Sequence, residues 1–218
     1  IISVSWLRCF RSVMSGVTVS IFTPNRIGEF AGRVLHLDPS VRIKAAIASV
    51  IGSMNQLLVT IVAGGIGLLT SLQLFVEDEF VFKVLVLLIT AGMAACIAVY
   101  FMIPGLTGLT AKIKAFRKII LYAVFTLQCI IMLNWFDVLI PWQESAKAIS
   151  LMYLVLAVVP SVALSELTIR GSVALFFFAS YTANSTGILA ASSMIWFINL
   201  VIPALLGALA AFYFRFSK

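Results

Sequence analysis

Long uncharged stretches alternate with short charged segments along this chain. The five longest stretches without a charged residue hold 32, 28, 18, 18 and 44 residues, at positions 45–76, 84–111, 119–136, 148–165 and 171–214. A helix needs about 20 mostly apolar residues to cross a hydrocarbon core about 30 Å thick. The strict apolar and polar alternation of a transmembrane β-barrel is absent from the sequence. The pattern predicts an all-α, polytopic membrane protein.

The composition excludes several classes of function. Hydrophobic residues make up 62% of the 218 residues and charged residues 11%, whereas soluble domains average about half and about a quarter. The net charge is +7, but the basic residues are dispersed between the apolar stretches and form no stripe with aromatic residues. We therefore expect the membrane, and no nucleic acid, as a partner. The three cysteines and the one histidine are widely spaced, so we expect no metal and no cofactor.

The basic residues predict the topology. Cytoplasmic segments of membrane proteins are enriched in Lys and Arg. Basic residues precede position 45, cluster at 112–118 and return at Arg215 and Lys218, whereas the turn at 77–79 is acidic. This pattern predicts three spanning helices within 45–136, a last spanning helix at 185–214 and a cytoplasmic C-terminus.

Two further segments are too short to cross. Lys147 and the start of the last helix lie outside, yet only about 14 residues, or roughly 21 Å of helix, separate Lys147 from Pro160. The sequence therefore predicts a re-entrant helical hairpin over 147–182, with its tip at 160–165. By the same reasoning a first re-entrant hairpin covers 12–40 and enters from the cytoplasmic side. Together these elements form one integral membrane domain over 1–218, which we expect to lack its natural N-terminus.

The two hairpins share a short motif. Residues 27–33 read IGEFAGR and residues 164–170 read LSELTIR, and in both an Arg follows a Glu by four residues. A proline, Pro24 or Pro160, lies shortly upstream of each copy. Three spans separate the copies, so the hairpins enter from opposite faces. This arrangement is typical of the inverted-topology repeats of transporters.

The repeated Glu and Arg residues are the candidate functional groups. Residues four apart share a helix face and can pair. Because each charge costs about 2.5 to 3.5 kcal/mol at membrane depth, we expect them to line a central polar cavity between the hairpins. Guanidinium groups bind phosphate, and carboxylates can balance an amine. The candidate substrate-binding residues are Asn25, Arg26, Glu29, Arg33, Ser165, Glu166 and Arg170, and the candidate helix breaks are Pro24, Gly28 and Pro160.

The motifs resemble those of a known family. Residues 15–33, SGVTVSIFTPNRIGEFAGR, and residues 160–172, PSVALSELTIRGS, are similar to the two motifs of the lysylphosphatidylglycerol synthase transmembrane family, also described as flippase-like. The resemblance implies a multi-pass protein of the bacterial cytoplasmic membrane, related to the module that moves lysylphosphatidylglycerol between leaflets. The soluble aminoacyl-transferase domain of the synthases has no counterpart in this sequence, so lysyl transfer is not implied and we do not expect an enzyme.

Three functions are compatible with this pattern. The first is a lipid flippase or transporter that binds a phospholipid headgroup, anionic or aminoacylated. The second is an intramembrane transferase acting on a lipid headgroup, with Glu29 or Glu166 as general base. The third is a non-catalytic membrane subunit whose ion pairs are structural.

Overall fold

The computed structural model describes residues 6–23, 26–34, 37, 39–72, 76–102 and 109–216. Within these ranges the chain is helical and contains no strand, as the hydropathy pattern predicts. The helices are α1 Trp6–Ser20, α2 Gly28–Val34, α3 Pro39–Ser71, α4 Glu79–Met102, α5 Leu109–Trp135, α6 Trp142–Val158, α7 Ala163–Phe178, α8 Ser185–Trp196 and α9 Ile202–Phe216, with a π-helical turn at Phe197–Val201 between α8 and α9.

Four of the described segments are long and apolar enough to cross a membrane. They are Pro39–Ser71, Glu79–Ala98, Phe116–Trp135 and Ser185–Leu209. Three of them fall in or next to the predicted region 45–136 and one falls in the predicted last span, 185–214. The prediction of a multi-pass, all-α membrane protein is therefore confirmed at this level.

The helix between α5 and the second motif begins earlier than predicted. α6 starts at Trp142, five residues before the predicted hairpin start at Lys147, and it ends at Val158. Its 17 residues correspond to about 25 Å of helix. Pro160 lies between α6 and α7, so the predicted helix break at this proline is confirmed. The break between α1 and α2 also lies where the sequence predicts it, but Pro24 and Asn25 lie outside the described residues.

The chain divides into two compact units. Unit 1 comprises Ile1–Val50, Pro160–Arg170 and Ser192–Lys218, and unit 2 comprises Ile51–Val159 and Gly171–Ala191. The sequence predicts one integral membrane domain and does not indicate this division. Unit 1 is the functionally interesting one, because it gathers both copies of the Glu and Arg motif although more than a hundred residues separate them.

Close backbone contact holds unit 1 together. A Cβ atom added at Gly32 would lie 2.6 Å from the carbonyl oxygen of Ser15, so α2 can lie this close to α1 only with glycine there. On another side of α1, the hydroxyl of Thr18 donates to the carbonyl oxygen of Ala204 in α9, at 3.0 Å. Small residues thus let α1 contact both α2 and α9.

Unit 2 has the larger apolar core. Its most buried side chains include Val138, Ile149, Phe178 and Ile188. A Cβ at Gly64 of α3 would lie 2.5 Å from the Cβ of Leu154 in α6, so this glycine lets α3 and α6 pack closely.

The last helix changes geometry before its proline. At Phe197–Val201 the helix is π-helical, and the N–H of Ile202 donates to the carbonyl oxygen of Phe197, five residues earlier. Pro203 follows immediately. Proline has no N–H to donate, and its ring crowds the carbonyl four residues before it. A wide turn at this place relieves that crowding.

Candidate functional site

The two sequence motifs meet in unit 1 through one ion-paired glutamate. Glu166, in the first turn of α7, accepts a hydrogen bond at 3.0 Å from Nη2 of Arg170, four residues later in the same helix. The carboxylate of Glu166 also accepts hydrogen bonds from Arg26 of the first motif. Nη2 of Arg26 lies 2.9 Å from both carboxylate oxygens, and Nε of Arg26 lies 3.2 Å from Oε2. Glu166 therefore accepts hydrogen bonds from two guanidinium groups, one from each motif.

The first motif contains a second ion pair. Arg33 donates to Glu29 within α2, four residues apart. The hydroxyl of Ser12 in α1 donates to the carbonyl oxygen of Arg33 and fixes the end of this short helix. A Cβ at Gly16 of α1 would lie 2.7 Å from Cγ of Arg33, so the arginine stem lies directly over the glycine. We call Arg26, Glu29, Arg33, Glu166 and Arg170 the motif cluster.

The backbone at Arg26 is unusual for its residue type. Its φ is 56°, in the left-handed region that non-glycine residues rarely adopt. The other described non-glycine residue with positive φ, Asp137, follows the C-terminus of α5, where a left-handed residue is common. Arg26 lies instead in the break before α2. A left-handed conformation costs roughly 1 to 2 kcal/mol, and the two-nitrogen contact with Glu166 offsets part of this cost.

Burial differs within the cluster. The side chain of Glu166 is 10% exposed and that of Arg170 is 16% exposed, whereas that of Arg26 is 41% exposed. The Nε atoms of Arg33 and Arg170 are buried and have no hydrogen-bond partner. A buried donor without a partner costs about 1 to 3 kcal/mol. Two such donors in the paired motifs favour an additional oxygen acceptor, from water or a ligand.

The predicted site residues that the structure describes form ion pairs or local hydrogen bonds. The pairings of Glu29 with Arg33 and of Glu166 with Arg170 are confirmed. Ser165 instead caps α7, because its hydroxyl oxygen accepts from the N–H of Val162 at 3.1 Å. This is a role for the start of α7, and no described contact links Ser165 to the arginines.

The break residues are described in part. The N–H of Gly28 donates to the hydroxyl of Thr23 at 2.9 Å, and a Cβ at Gly28 would clash with that side chain. Gly28 is therefore the first residue of α2, and the side chain of Thr23 occupies the space that a larger side chain would need. Pro160 lies in the break before α7.

Sequence reasoning missed the contact between Arg26 and Glu166. It includes Arg26 among the candidates but pairs each glutamate only with the arginine of its own motif. Arg26 and Glu166 are 140 residues apart, and no local spacing rule connects residues at that separation. One feature of the sequence could have indicated this contact. Arg26 is the one arginine of the candidate set that has no glutamate four residues before it, so its partner must come from elsewhere in the chain.

A second polar cluster lies in unit 2. Glu144 accepts from Nζ of Lys147 at 2.9 Å and from the hydroxyl of Tyr181 at 3.1 Å. The hydrogen bond from Lys147 is the main reason that the pKa of Glu144 lies below its usual value, and the bond from Tyr181 lowers it further. We call these three residues the Glu144 cluster.

Asn184, part of an Asn-Ser-Thr sequence, also has a structural role. Its Oδ1 accepts from the N–H of Gly187 at 2.9 Å, and its Nδ2 donates to the carbonyl oxygen of Phe136 at 3.1 Å. It therefore caps the N-terminus of α8 and ties it to the end of α5. Both ends of the amide are engaged, so this asparagine serves the fold.

Possible metal ligands are scattered in the part of the chain that the structure describes, where no three His, Cys, Asp or Glu residues come together. Comparison with protein-family models, curated proteins and solved structures finds no match for this chain.

Proposed function

We propose that this chain is a flippase-like membrane protein that binds a phospholipid headgroup at the motif cluster, in a central polar cavity, and moves it between leaflets. The proposal includes membership of the lysylphosphatidylglycerol synthase transmembrane family. The observation that carries it is the contact of Arg26 with Glu166, which joins the two motifs into one polar site. Charged groups are expensive at membrane depth and generally serve substrate or ion pathways there.

The guanidinium groups suit a phosphate ligand. Arginine binds phosphate through a planar fork of donors, and such charge-assisted bonds are the stronger hydrogen bonds of proteins. The cluster contains three arginines, two of which retain a buried Nε donor without a partner. The donor of Arg170, next to the contact of Arg26 with Glu166, supports binding of an oxyanion at this place.

The proposal also includes a topology. In it α6 and α7 form a re-entrant hairpin, 12–40 forms a second one from the opposite face, and the two make an inverted repeat in a bacterial cytoplasmic membrane. The lengths of α6 and α7 support this, since 17 and 16 residues correspond to about 25 Å and about 24 Å, below the usual hydrocarbon thickness. The C-terminus would lie in the cytoplasm, as its Arg and Lys indicate.

Transport can be tested in liposomes. The purified 218-residue chain is reconstituted with fluorescent phosphatidylglycerol, and a membrane-impermeant quencher reports how fast labelled lipid reaches the outer leaflet. We expect Glu29→Gln and Arg170→Ala to lower this rate about tenfold or more, because a bond to a charged group contributes about 1.5 to 3 kcal/mol.

The matched control is Lys83→Ala, which removes a cation from an ion pair exposed to solvent. Folded Glu29→Gln and Arg170→Ala proteins that move lipid as fast as the wild type would exclude the proposal. Chromatography of the same lipids tests the transferase alternative, because a covalent change in the headgroup on incubation would identify an enzyme.

The hairpin can be tested by labelling of introduced cysteines in a chain whose own cysteines are replaced. In the re-entrant topology, cysteines at Glu144 and Thr182 react with an impermeant reagent from the outside. A cysteine at Pro160 is not labelled from the cytoplasmic side. Cytoplasmic labelling at position 160 would show that α6 and α7 cross the membrane.

A structural subunit is the second candidate, because all the glutamates of the motif cluster are paired with arginines. In that case the pairs matter only for packing. The double variant Glu29→Arg with Arg33→Glu preserves a pair but reverses its direction. Full activity of this variant would favour the structural role, and loss of transport in a folded protein would favour a binding site.

A further inference from the structure

The contacts of the motif cluster indicate which headgroup the site accepts. This inference rests on the proposed function. We infer that the motif cluster selects an anionic phosphodiester headgroup that carries no ammonium group, over an aminoacylated, cationic one. Three properties of the cluster favour such a ligand: its net charge, the occupancy of its carboxylates and the donors that remain.

The cluster carries an excess of positive charge. Two guanidinium groups, those of Arg26 and Arg170, contact the one carboxylate of Glu166, which leaves one unbalanced positive charge, while Glu29 and Arg33 form a neutral pair. The attraction between opposite charges a few ångströms apart is stronger at a partly buried site than in bulk water, because the effective dielectric constant is lower. An anion at this place is attracted, and a headgroup with net positive charge is repelled.

The carboxylates are already engaged. Both oxygens of Glu166 accept hydrogen bonds from Arg26, and one of them also accepts from Arg170. Glu29 accepts from Arg33. A ligand ammonium would have to displace a guanidinium group from one of these contacts and leave that arginine unbalanced. The interpretation from sequence, in which a carboxylate balances a ligand amine, therefore has no free carboxylate to use in the arrangement seen here.

The remaining donors fit a phosphodiester. The buried Nε group of Arg170, whose guanidinium donates to Glu166 beside Arg26, has no acceptor. Arg26 is the most exposed member, with 41% of its side chain accessible, so a ligand can reach it without displacing Glu166 from Arg170. A phosphodiester has one negative charge and two unbridged oxygens, which matches one excess charge and several N–H donors.

The first experiment compares two lipids in the wild-type chain. Liposomes of phosphatidylcholine contain labelled phosphatidylglycerol, which is anionic, or labelled lysylphosphatidylglycerol, whose two amines make it cationic. We expect phosphatidylglycerol to move at least about tenfold faster, which corresponds to about 1.4 kcal/mol. Equal or faster movement of the lysyl lipid would overturn this inference and leave the proposed function standing. Movement of neither lipid would overturn the proposed function itself.

The second experiment changes the charge of the site. Arg26→Gln brings the cluster to zero net charge, so the rate ratio of the two lipids should fall towards one. Arg26→Lys keeps the charge and should keep the preference, at a lower rate. The control Lys83→Gln makes the same change in total charge at a side chain 70% exposed and should leave the ratio unchanged. A Lys83→Gln protein with an equally reduced ratio would assign the preference to the charge of the whole protein.

A third measurement separates a lipid from a free anion. Inorganic phosphate is added at increasing concentration during transport of phosphatidylglycerol. For a lipid site, millimolar phosphate should leave the rate within about twofold, since the lipid gains further free energy from its acyl chains. Inhibition at micromolar phosphate would identify a site for the free anion and overturn the inference for lipid.

Discussion

Glu166 and Glu144 are built alike but differ in the charge of their surroundings. Each has a cation one helical turn later in its own helix, Arg170 or Lys147, and each receives a third group from a distant part of the chain. For Glu144 the distant group is the neutral phenol of Tyr181, and for Glu166 it is the guanidinium of Arg26. The Glu144 cluster is therefore electrically balanced, whereas Glu166 and its two partners are not.

Burial sharpens this difference. The side chain of Glu144 is 33% exposed and that of Glu166 is 10% exposed. A balanced, partly exposed group needs no further ligand and fixes the fold at modest energy. A buried group with an excess charge is costly unless something balances it. Two similar ion pairs in one protein can therefore have different roles. The group that distinguishes them is the distant partner of the glutamate, the phenol of Tyr181 or the guanidinium of Arg26.

The largest effect should come from Glu166→Gln. This change leaves two arginines without a carboxylate, and breaking a buried ion pair costs about 3 to 5 kcal/mol. Glu144→Gln is the matched control, because it makes the same substitution in the balanced cluster and should lower the unfolding temperature much less. Thermal unfolding in detergent measures both, and equal destabilisation would abolish the distinction between the two glutamates.

Glycine substitutions test the packing beneath the motif cluster. In Gly32→Ala the new methyl group would meet the backbone of α1, so we expect a loss of about 1 to 3 kcal/mol and slower transport. Gly92→Ala in α4 is the control, since no atom lies within 4 Å of the added Cβ. There alanine should raise stability by up to about 1 kcal/mol through its helix propensity. The same sign for both variants would contradict the close contact of α1 and α2.

Tyr181→Phe should have a smaller effect. It removes the hydrogen bond to Glu144 and keeps the ring, so we expect a loss of about 0.5 to 1.5 kcal/mol. Transport should be unchanged, because the Glu144 cluster is balanced and takes no part in the proposed binding. A transport defect in a stable Tyr181→Phe protein would assign a functional role to unit 2.

The smallest effect is a pH dependence of the Glu144 cluster. Its folded pKa lies below the usual value, so its contribution to stability is full above the unfolded pKa, about 4.3. That contribution is lost as the pH falls through the lower, folded pKa. The difference in unfolding temperature between the wild type and Glu144→Gln should therefore shrink between about pH 5 and about pH 3. A difference in unfolding temperature that stays constant over this pH range would contradict the predicted role of the Glu144 carboxylate.

The sequence predicts the spans and breaks well because both have local causes. Uncharged stretches long enough to cross are visible directly, and Pro160 interrupts a helix through its own ring and missing N–H. The pairs Glu29 with Arg33 and Glu166 with Arg170 follow from the helical repeat. These parts of the candidate site required no knowledge of the tertiary structure.

The remaining features depend on contacts between distant segments. Charge alone places Lys147 at the edge of the membrane. In the structure Glu144 and Lys147 lie within α6 and pair with each other, and Glu144 also accepts a hydrogen bond from the distant Tyr181. The contact of Arg26 with Glu166 needs the two breaks to meet in unit 1. Ser165 is drawn into a local cap, a role that its place in the motif does not reveal.

The π-helical turn at Phe197–Val201 determines which face of α9 points towards α1. A wide turn holds one residue more than a regular turn, and each residue of an α-helix corresponds to a rotation of about 100°. A regular helix over the same residues would turn Ala204 and Gly207 away from α1, which they contact. The wide turn thus accommodates one additional residue and leaves the orientation of the following helix as it would be without that residue. Removing one residue from this turn should therefore preserve the α1 and α9 contact, whereas the same deletion after Pro203 should break it.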